Sequence, residues 1–284
     1  MVDGDTFERI RRLASRLMGI ALLDRHREPL GRRGRRAGLN TRDDWAELLD
    51  AVEAGGAEAV QRLAGLVTVR HTGFFRHPEH FTLAARHARA AARHRGRARL
   101  WCAATATGEE AWSLALALLE ASGADDPPAT VLATDLHAAS LAEAEQAEYA
   151  PTALAALGAG RGTRWTAPVA GGQRLRLRLA PAVRRLVVFQ PLNLAAEAWP
   201  VTGPFDVIFC RNVLMYLGAD HRYAVLERLA SLLAADGLLL LDPAEHPGPA
   251  AHWYSSLGAG AYVRRRGLPA SRRGGRRRPA EIMP

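Results

Sequence analysis

From Phe7 to Gly19 the apolar positions recur at helical intervals, with Ile10, Leu13, Leu17 and Ala14 on one side and arginines opposite. Asp24–Asn40 then interrupts the rhythm as a basic block broken by Pro29, Gly31 and Gly34. Thr41 reads as the N-cap of a helix over Arg42–Ala54, where Trp45, Leu48, Leu49 and Val52 fall at helical spacing. Glu58–Leu66 continues the pattern. These periods predict a small all-helical N-terminal domain over residues 1–66.

The pattern changes at Val69–Phe81, where Phe74 and Phe75 stand between polar residues, and an Ala- and Arg-rich helix follows over Pro78–Arg93. From Arg99 onward short apolar runs alternate with helical patterns, the arrangement of a parallel, doubly wound α/β sheet. Predicted strands are Leu100–Ala104, Thr130–Thr134, Arg185–Gln190, Phe205–Cys210 and Gly237–Leu241, with a last strand at Ala261–Arg265. Predicted helices are Ala111–Ala121, apolar nearly all round and therefore buried, Ala138–Glu148 and Asp220–Ala234. Gln173–Leu179, QRLRLRL, alternates strictly and predicts a strand with one buried face, part of a small antiparallel subdomain inserted at about residues 162–182. Ser271–Arg278 buries nothing and makes residues 269–284 a disordered basic tail.

Composition narrows the class. With 284 residues, 48% of them hydrophobic, the chain can build a packed core, and no apolar run reaches the length of a membrane span. Four arginines among residues 1–20 leave no signal-peptide pattern, and Cys102 and Cys210 lack the spacing of a disulfide framework. A cytoplasmic protein is expected. The formal net charge is +9, and all 38 Lys or Arg positions are arginine. That charge calls for an acidic partner, for which nucleic acid, an anionic membrane and an acidic protein surface all qualify. The ten histidines show no paired metal spacing, so no metal site is expected and they are read as surface residues.

Candidate chemistry gathers where the strands end. Phe205–Cys210 is almost wholly apolar, as a strand buried on both faces should be, and polarity arrives abruptly at Arg211 and Asn212. Ligands of open α/β sheets bind beyond the carboxyl ends of strands, although a solvated turn would have the same pattern. Upstream, Thr107-Gly108-Glu109-Glu110 opens a helix after the first strand, and Asp135 ends the second, where a carboxylate accepts from ribose hydroxyls or caps the next helix. Only Gly108 is present where a dinucleotide site has several glycines. That favours a nucleoside ligand without phosphates, of which S-adenosylmethionine is the commonest on such a sheet.

Taken together, RLWCAATATGEEAWS (Arg99–Ser113), TGFFRHPEHF (Thr72–Phe81), ATD (Ala133–Asp135), Asn193-Leu194 and GPFDVIFCRNVLMY (Gly203–Tyr216) resemble the CheR-type chemotaxis-receptor glutamate methyltransferases in order and spacing. Asp236–Leu241 followed by Pro243-Ala244-Glu245 extends the resemblance. It implies an α/β protein: the helical N-terminal domain, a Rossmann-like class I methyltransferase domain over residues 67–268, and the inserted β-subdomain. It implies S-adenosylmethionine as cofactor and, as substrate, glutamates on the cytoplasmic helical bundle of a chemoreceptor, methylated by a monomer without nucleic acid or membrane insertion. By position, Thr72 and Arg76 would flank the methionine portion, Glu109 its ammonium, Asp135 the ribose, and Asn193 with Leu194 the adenine. Cys210 and Arg211 would contact the cofactor, and Arg76, Arg211 and Tyr216 would serve catalysis. Departures from the family pattern fall at Arg70-His71, Ala106 and Ala111-Trp112. A non-catalytic scaffold that keeps the fold, and a nucleic-acid binder using the basic tail, are the competing expectations.

Overall fold

The structure, a computed structural model, describes residues 2–69, 72–170 and 175–265. The expected basic tail, Arg70 and His71, and the start of the QRLRLRL stretch lie outside the described residues. Four helices open the chain: α1 (Gly4–Met18), α2 (Arg27–Arg36), α3 (Arg42–Glu53) and α4 (Ala57–Val67). Asp3 caps α1 by accepting from the Thr6 amide, and Thr41 and Asp44 cap α3 reciprocally. Ile10, Leu13, Trp45, Leu48, Leu49 and Leu63 close a separate apolar core between them.

The basic block proves to contain a helix. Pro29 lies in the first turn of α2, where its missing N–H breaks no intrahelical bond, and Gly31 and Gly34 lie on its buried face. A Cβ on Gly34 would stand 2.2 Å from the ring of Trp45, so this glycine allows close approach of α3 rather than a break.

The remaining elements, in order, are α5 (Pro78–Arg95), β1 (Ala98–Cys102), α6 (Glu109–Ser122), β2 (Ala129–Asp135), α7 (Ala138–Gln146) and β3 (Glu148–Tyr149). They continue with α8 (Pro151–Leu154), α9 (Gly158–Trp165), β4 (Thr166–Pro168), β5 (Leu177–Leu179), α10 (Pro181–Arg184), β6 (Val187–Pro191) and β7 (Phe205–Phe209). The chain closes with α11 (Ala219–Leu232), β8 (Leu233–Leu240), β9 (Tyr254–Gly258) and β10 (Ala261–Arg264). Seven strands form one sheet in the order β6-β2-β1-β7-β8-β10-β9. The first five run parallel, while β10 is antiparallel to β8 and β9. This is the Rossmann-like, doubly wound sheet expected from the sequence.

Burial on both faces explains the continuous apolar strands. Along β1, Leu100 and Cys102 join the core that includes α5 and α6, whereas Trp101 and Ala103 join the one that includes α11. All five residues of β7 are buried, each large apolar side chain contributing about 1.5–3 kcal/mol by leaving water. At the strand's base Asp206 accepts from the Arg99 amide and from Arg95, anchoring β7 to β1 and α5. Among the described residues no helix is long and apolar enough to cross a membrane.

Three differences from the sequence reading follow from tertiary contacts. The small antiparallel sheet, β3-β5-β4, draws its first strand from Glu148–Tyr149, upstream of the expected 162–182. That two-residue strand has too little pattern to be read alone. Strand β9 was not expected either: its outer half, Ser256–Gly258, is solvated, so no apolar run marks it. His80, read as a surface residue, is buried beneath the β9–β10 turn, its Nε2 2.6 Å from the Ala259 carbonyl.

Candidate active site

Strands β1, β2 and β6 proceed to one side of the sheet and β7 and β8 to the other, so the topology reverses between β1 and β7. A crevice opens at that point, beyond the carboxyl ends of the strands. It encloses about 1040 Å³, counting the solvent at its mouth. Its walls come from the segments after β1 (Ala103–Ala106), after β2 (Asp135, Leu136), after β6 (Leu192–Leu194) and after β7 (Arg211–Val213, Tyr216). Met18, Ile20 and Val67 close it from the N-terminal helices.

Those helices are tied to the rim by backbone. Ile20 bridges Leu217, the Ala21 amide donates to the Tyr216 carbonyl (2.8 Å), and Asn193 Nδ2 donates to the Leu17 carbonyl (2.7 Å). Gln61 joins α4 to the segment after β2 by donating to the Leu136 carbonyl and accepting from the Ala138 amide.

Gly108 shapes the turn after β1. Its φ of +94° suits glycine, and a Cβ would meet that of Ala144 at 2.7 Å, so the turn packs directly on α7. Asp135 holds the turn from the next strand: Oδ2 accepts from the Ala106 amide (2.8 Å) and Oδ1 from the His137 amide (2.9 Å). The carboxylate therefore lines the crevice and also ties the start of the segment leading into α7. Burial raises its pKa, partly offset by the two amides.

The crevice floor carries paired charges. Arg211, 4% exposed, lies with Nε 3.3 Å from Glu110 Oε2 and donates through Nη2 to the Arg76 carbonyl (2.6 Å). Its Nε and Nη1 have no hydrogen-bond partner, and Glu110 Oε1 receives no N–H or O–H donor. Burial pushes Glu110 up to about 7, against the pull of Arg211. The half-exposed Arg76 faces Asp242 at 3.6 Å. Asp242 stays below its usual range: burial pushes it up, but the Ala244 amide, the Asn212 side chain and Arg76 outweigh that.

Thr72, Arg76, Asp135, Asn193, Leu194, Arg211 and Tyr216 thus meet in one crevice, and two expected residues do not line it. Glu109 turns away, accepting from the Thr107 hydroxyl (2.7 Å), and its neighbour Glu110 lines the floor instead. The Cys210 side chain is fully buried in the core with α11, off the wall. Both polar groups of the Asn193 side chain are used by backbone, Nδ2 on Leu17 and Oδ1 on Ala195, so it is a strut between α1 and the loop after β6. Glu110 and Asn212 were missed. Helix α6 is apolar around most of its surface, so no phase in the sequence tells which of the two adjacent glutamates faces the sheet.

The fit to the implied cofactor rests on these groups. Unsatisfied polar atoms of both signs at the floor match a zwitterionic amino-acid end, and a carboxylate ending β2 matches a ribose. Such a crevice on such a sheet defines a nucleoside-binding α/β protein. Residues 70–263 match the family model described as CheR methyltransferase, SAM binding domain. The chain is 32% identical over 259 residues to Chemotaxis protein methyltransferase 2 of Pseudomonas aeruginosa, covering 91% of this chain and 92% of that protein. It is 36% identical over 248 residues to the Chemotaxis protein methyltransferase of Escherichia coli, with 84% of each chain covered. The chain belongs to the CheR methyltransferase family and is an S-adenosylmethionine-dependent methyltransferase.

Proposed function

We propose that this enzyme methylates glutamate side chains on the cytoplasmic helices of a chemoreceptor. The observation that carries the proposal is a crevice beyond the strand ends that is lined by Arg76, Arg211 and Tyr216. A glutamate is ionised near pH 7, its reference pKa being about 4.3, so the acceptor itself is the nucleophile and needs no general base. Bound S-adenosylmethionine supplies a methyl group already activated by its sulfonium. The protein's part is then to position and to exclude water. Arg76 and Arg211 orient the acceptor carboxylate and Tyr216 adds a neutral donor, which steers the oxygen without quenching it as a second tight ion pair would. Glu110, rather than Glu109, takes the cofactor's ammonium, Asp135 the ribose, Thr72 the methionine portion, and Leu194 with the Asn193 backbone the adenine.

The acidic receptor also suits the N-terminal unit, assigned here to residues 1–66, with the transferase over 67–268. Arg33 on α2 donates to the Thr68 carbonyl (2.6 Å), next to Val69 on the crevice wall. Arg25, Arg35 and Arg36 make no ion pair among the described residues and are left to meet an acidic helix. The enzyme is taken to act as a cytoplasmic monomer that binds no nucleic acid. Incubation with labelled S-adenosylmethionine and receptor cytoplasmic fragments tests the proposal. Label should enter the fragments and leave as methanol under mild base, as a glutamyl ester does. Base-stable label, or equal label in fragments lacking the acceptor glutamates, would refute it.

A further inference from the structure

The segment after β7 carries Arg211 and Tyr216, yet between them it contains only one 3-10 turn, Leu214–Tyr216. Asn212 stands at φ +56°, in the left-handed region that Asn enters more readily than most non-glycine residues. What holds it comes from the chain after β8. Glu245 Oε2 accepts from the Asn212 amide (2.8 Å) and Oε1 from the Met215 amide (3.2 Å). Asp242 Oδ2 accepts from the Asn212 side chain at 2.8 Å. The two amides taken by Glu245 adjoin Arg211 and Tyr216, so one carboxylate fixes both ends of the loop.

We infer that Glu245 and Asp242 are positioning residues for methyl transfer, clamping the Arg211–Tyr216 loop in its reactive geometry; this rests on reading the site as that of a glutamate methyltransferase. The clamp is itself rigid. Glu245 Oε2 also accepts from the Asp242 amide, the Glu245 amide donates to the Asp242 carbonyl (2.8 Å), and the Ala244 amide donates to Asp242 Oδ1 (3.1 Å). Both side chains are buried, at 7% and 6% exposure, where a carboxylate is retained only with donors to satisfy it. Asp242 reaches the other wall too, facing Arg76 and, at 3.5 Å, His77. Since Arg211 donates to the Arg76 carbonyl, the arms bearing the two acceptor-side arginines are joined through one knot.

Glu245→Gln keeps the shape but turns an NH2 group toward amide donors, releasing one end of the loop. A displacement of about 1 Å in a reacting group is enough to cost on the order of a hundredfold in rate. Expected for Glu245→Gln is a fall in kcat of about ten- to a hundredfold in methylation of receptor fragments. The affinity for S-adenosylhomocysteine at pH 8 should fall by a smaller factor than kcat, because Asp135 and Glu110 remain in place and only Arg211 of the floor is released. Hydrogen exchange at the Asn212 and Met215 amides of the cofactor-free protein should quicken, with the β1 and β2 amides unchanged. Wild-type kcat in a folded variant, or a parallel loss of kcat and cofactor affinity, would overturn the inference. Should Glu245→Gln fail to fold, Asp242→Asn weakens the hold on the Asn212 side chain without altering the crevice lining, and wild-type kcat there would overturn it as well. The exchange measurement needs no acceptor. Failure of the clamp is therefore distinguishable from failure of the chemoreceptor reading, which would show as no methylation by the wild-type enzyme.

Discussion

Replacing Glu110 by Gln should weaken cofactor binding and abolish most of its pH dependence, whereas Glu109→Gln should do neither. Burial raises the Glu110 carboxyl to about 7, with Arg211 acting in the opposite direction and Glu245 adding to the rise. An ammonium is held by the ionised form, so binding must remove the proton wherever it is present. The raised value means that at pH 6 roughly one molecule in ten is ionised and at pH 8 roughly nine in ten. The Kd for S-adenosylhomocysteine should therefore be about tenfold weaker at pH 6 than at pH 8, equivalent to about 1.4 kcal/mol. At higher pH affinity should decline again as the ligand's own amino group, which beside a free carboxylate titrates above a peptide α-amino terminus, loses its charge. Losing a charge-assisted bond costs about 1.5–3 kcal/mol, so Glu110→Gln should weaken binding by roughly ten- to a hundredfold at pH 8. Calorimetry from pH 6 to 9 in two buffers of different ionisation enthalpy measures both effects, because proton release at pH 6 makes the apparent enthalpy buffer-dependent. Equal losses for Glu109→Gln and Glu110→Gln, or an unchanged pH profile in Glu110→Gln, would refute the reasoning.

Asp135→Ala should weaken S-adenosylhomocysteine binding by about 1–3 kcal/mol, read by calorimetry, through lost ribose contacts and release of the Ala106 and His137 amides. Tyr216→Phe should lower kcat while leaving the cofactor Kd unchanged if its hydroxyl serves the acceptor as proposed; steady-state methylation against calorimetry separates the two. Replacing Arg25, Arg35 and Arg36 by Glu should weaken receptor binding and make methylation less sensitive to salt, with cofactor affinity unaltered; equal rates for variant and wild type at low and moderate salt would exclude a docking role. Asp206→Ala, at the opposite end of β7 from the crevice, should cost about 1–3 kcal/mol in chemical denaturation by orphaning the Arg99 amide, without changing the cofactor Kd.

The sequence alone determined the order and type of the main elements and the side of the sheet on which chemistry occurs. It could do so because strands buried on both faces require unbroken apolar runs such as Phe205–Phe209, and polarity can return only where the strand leaves the core. Asp135 and Arg211 were legible for that reason, whereas Thr72, Arg76 and Tyr216 were expected only through the family resemblance. Tertiary structure decided what depends on partners distant in the chain. Pro29, Gly31 and Gly34 look like breakers until Trp45 packs on the glycine face of α2. Glu109 and Glu110 are equivalent in the sequence, and only the rotation of α6 against the sheet sends one into the crevice. Cys210 follows the apolar alternation of its strand into the core, whereas the next residue, Arg211, turns into the crevice. Glu245 shows the same limit: it is an ordinary acidic residue in its own turn, and its hold on the loop 30 positions earlier exists only because β7 and β8 lie side by side. Periodicity records which face of an element meets the core, whereas the pairing of one buried polar group with another is set by the packing of whole elements.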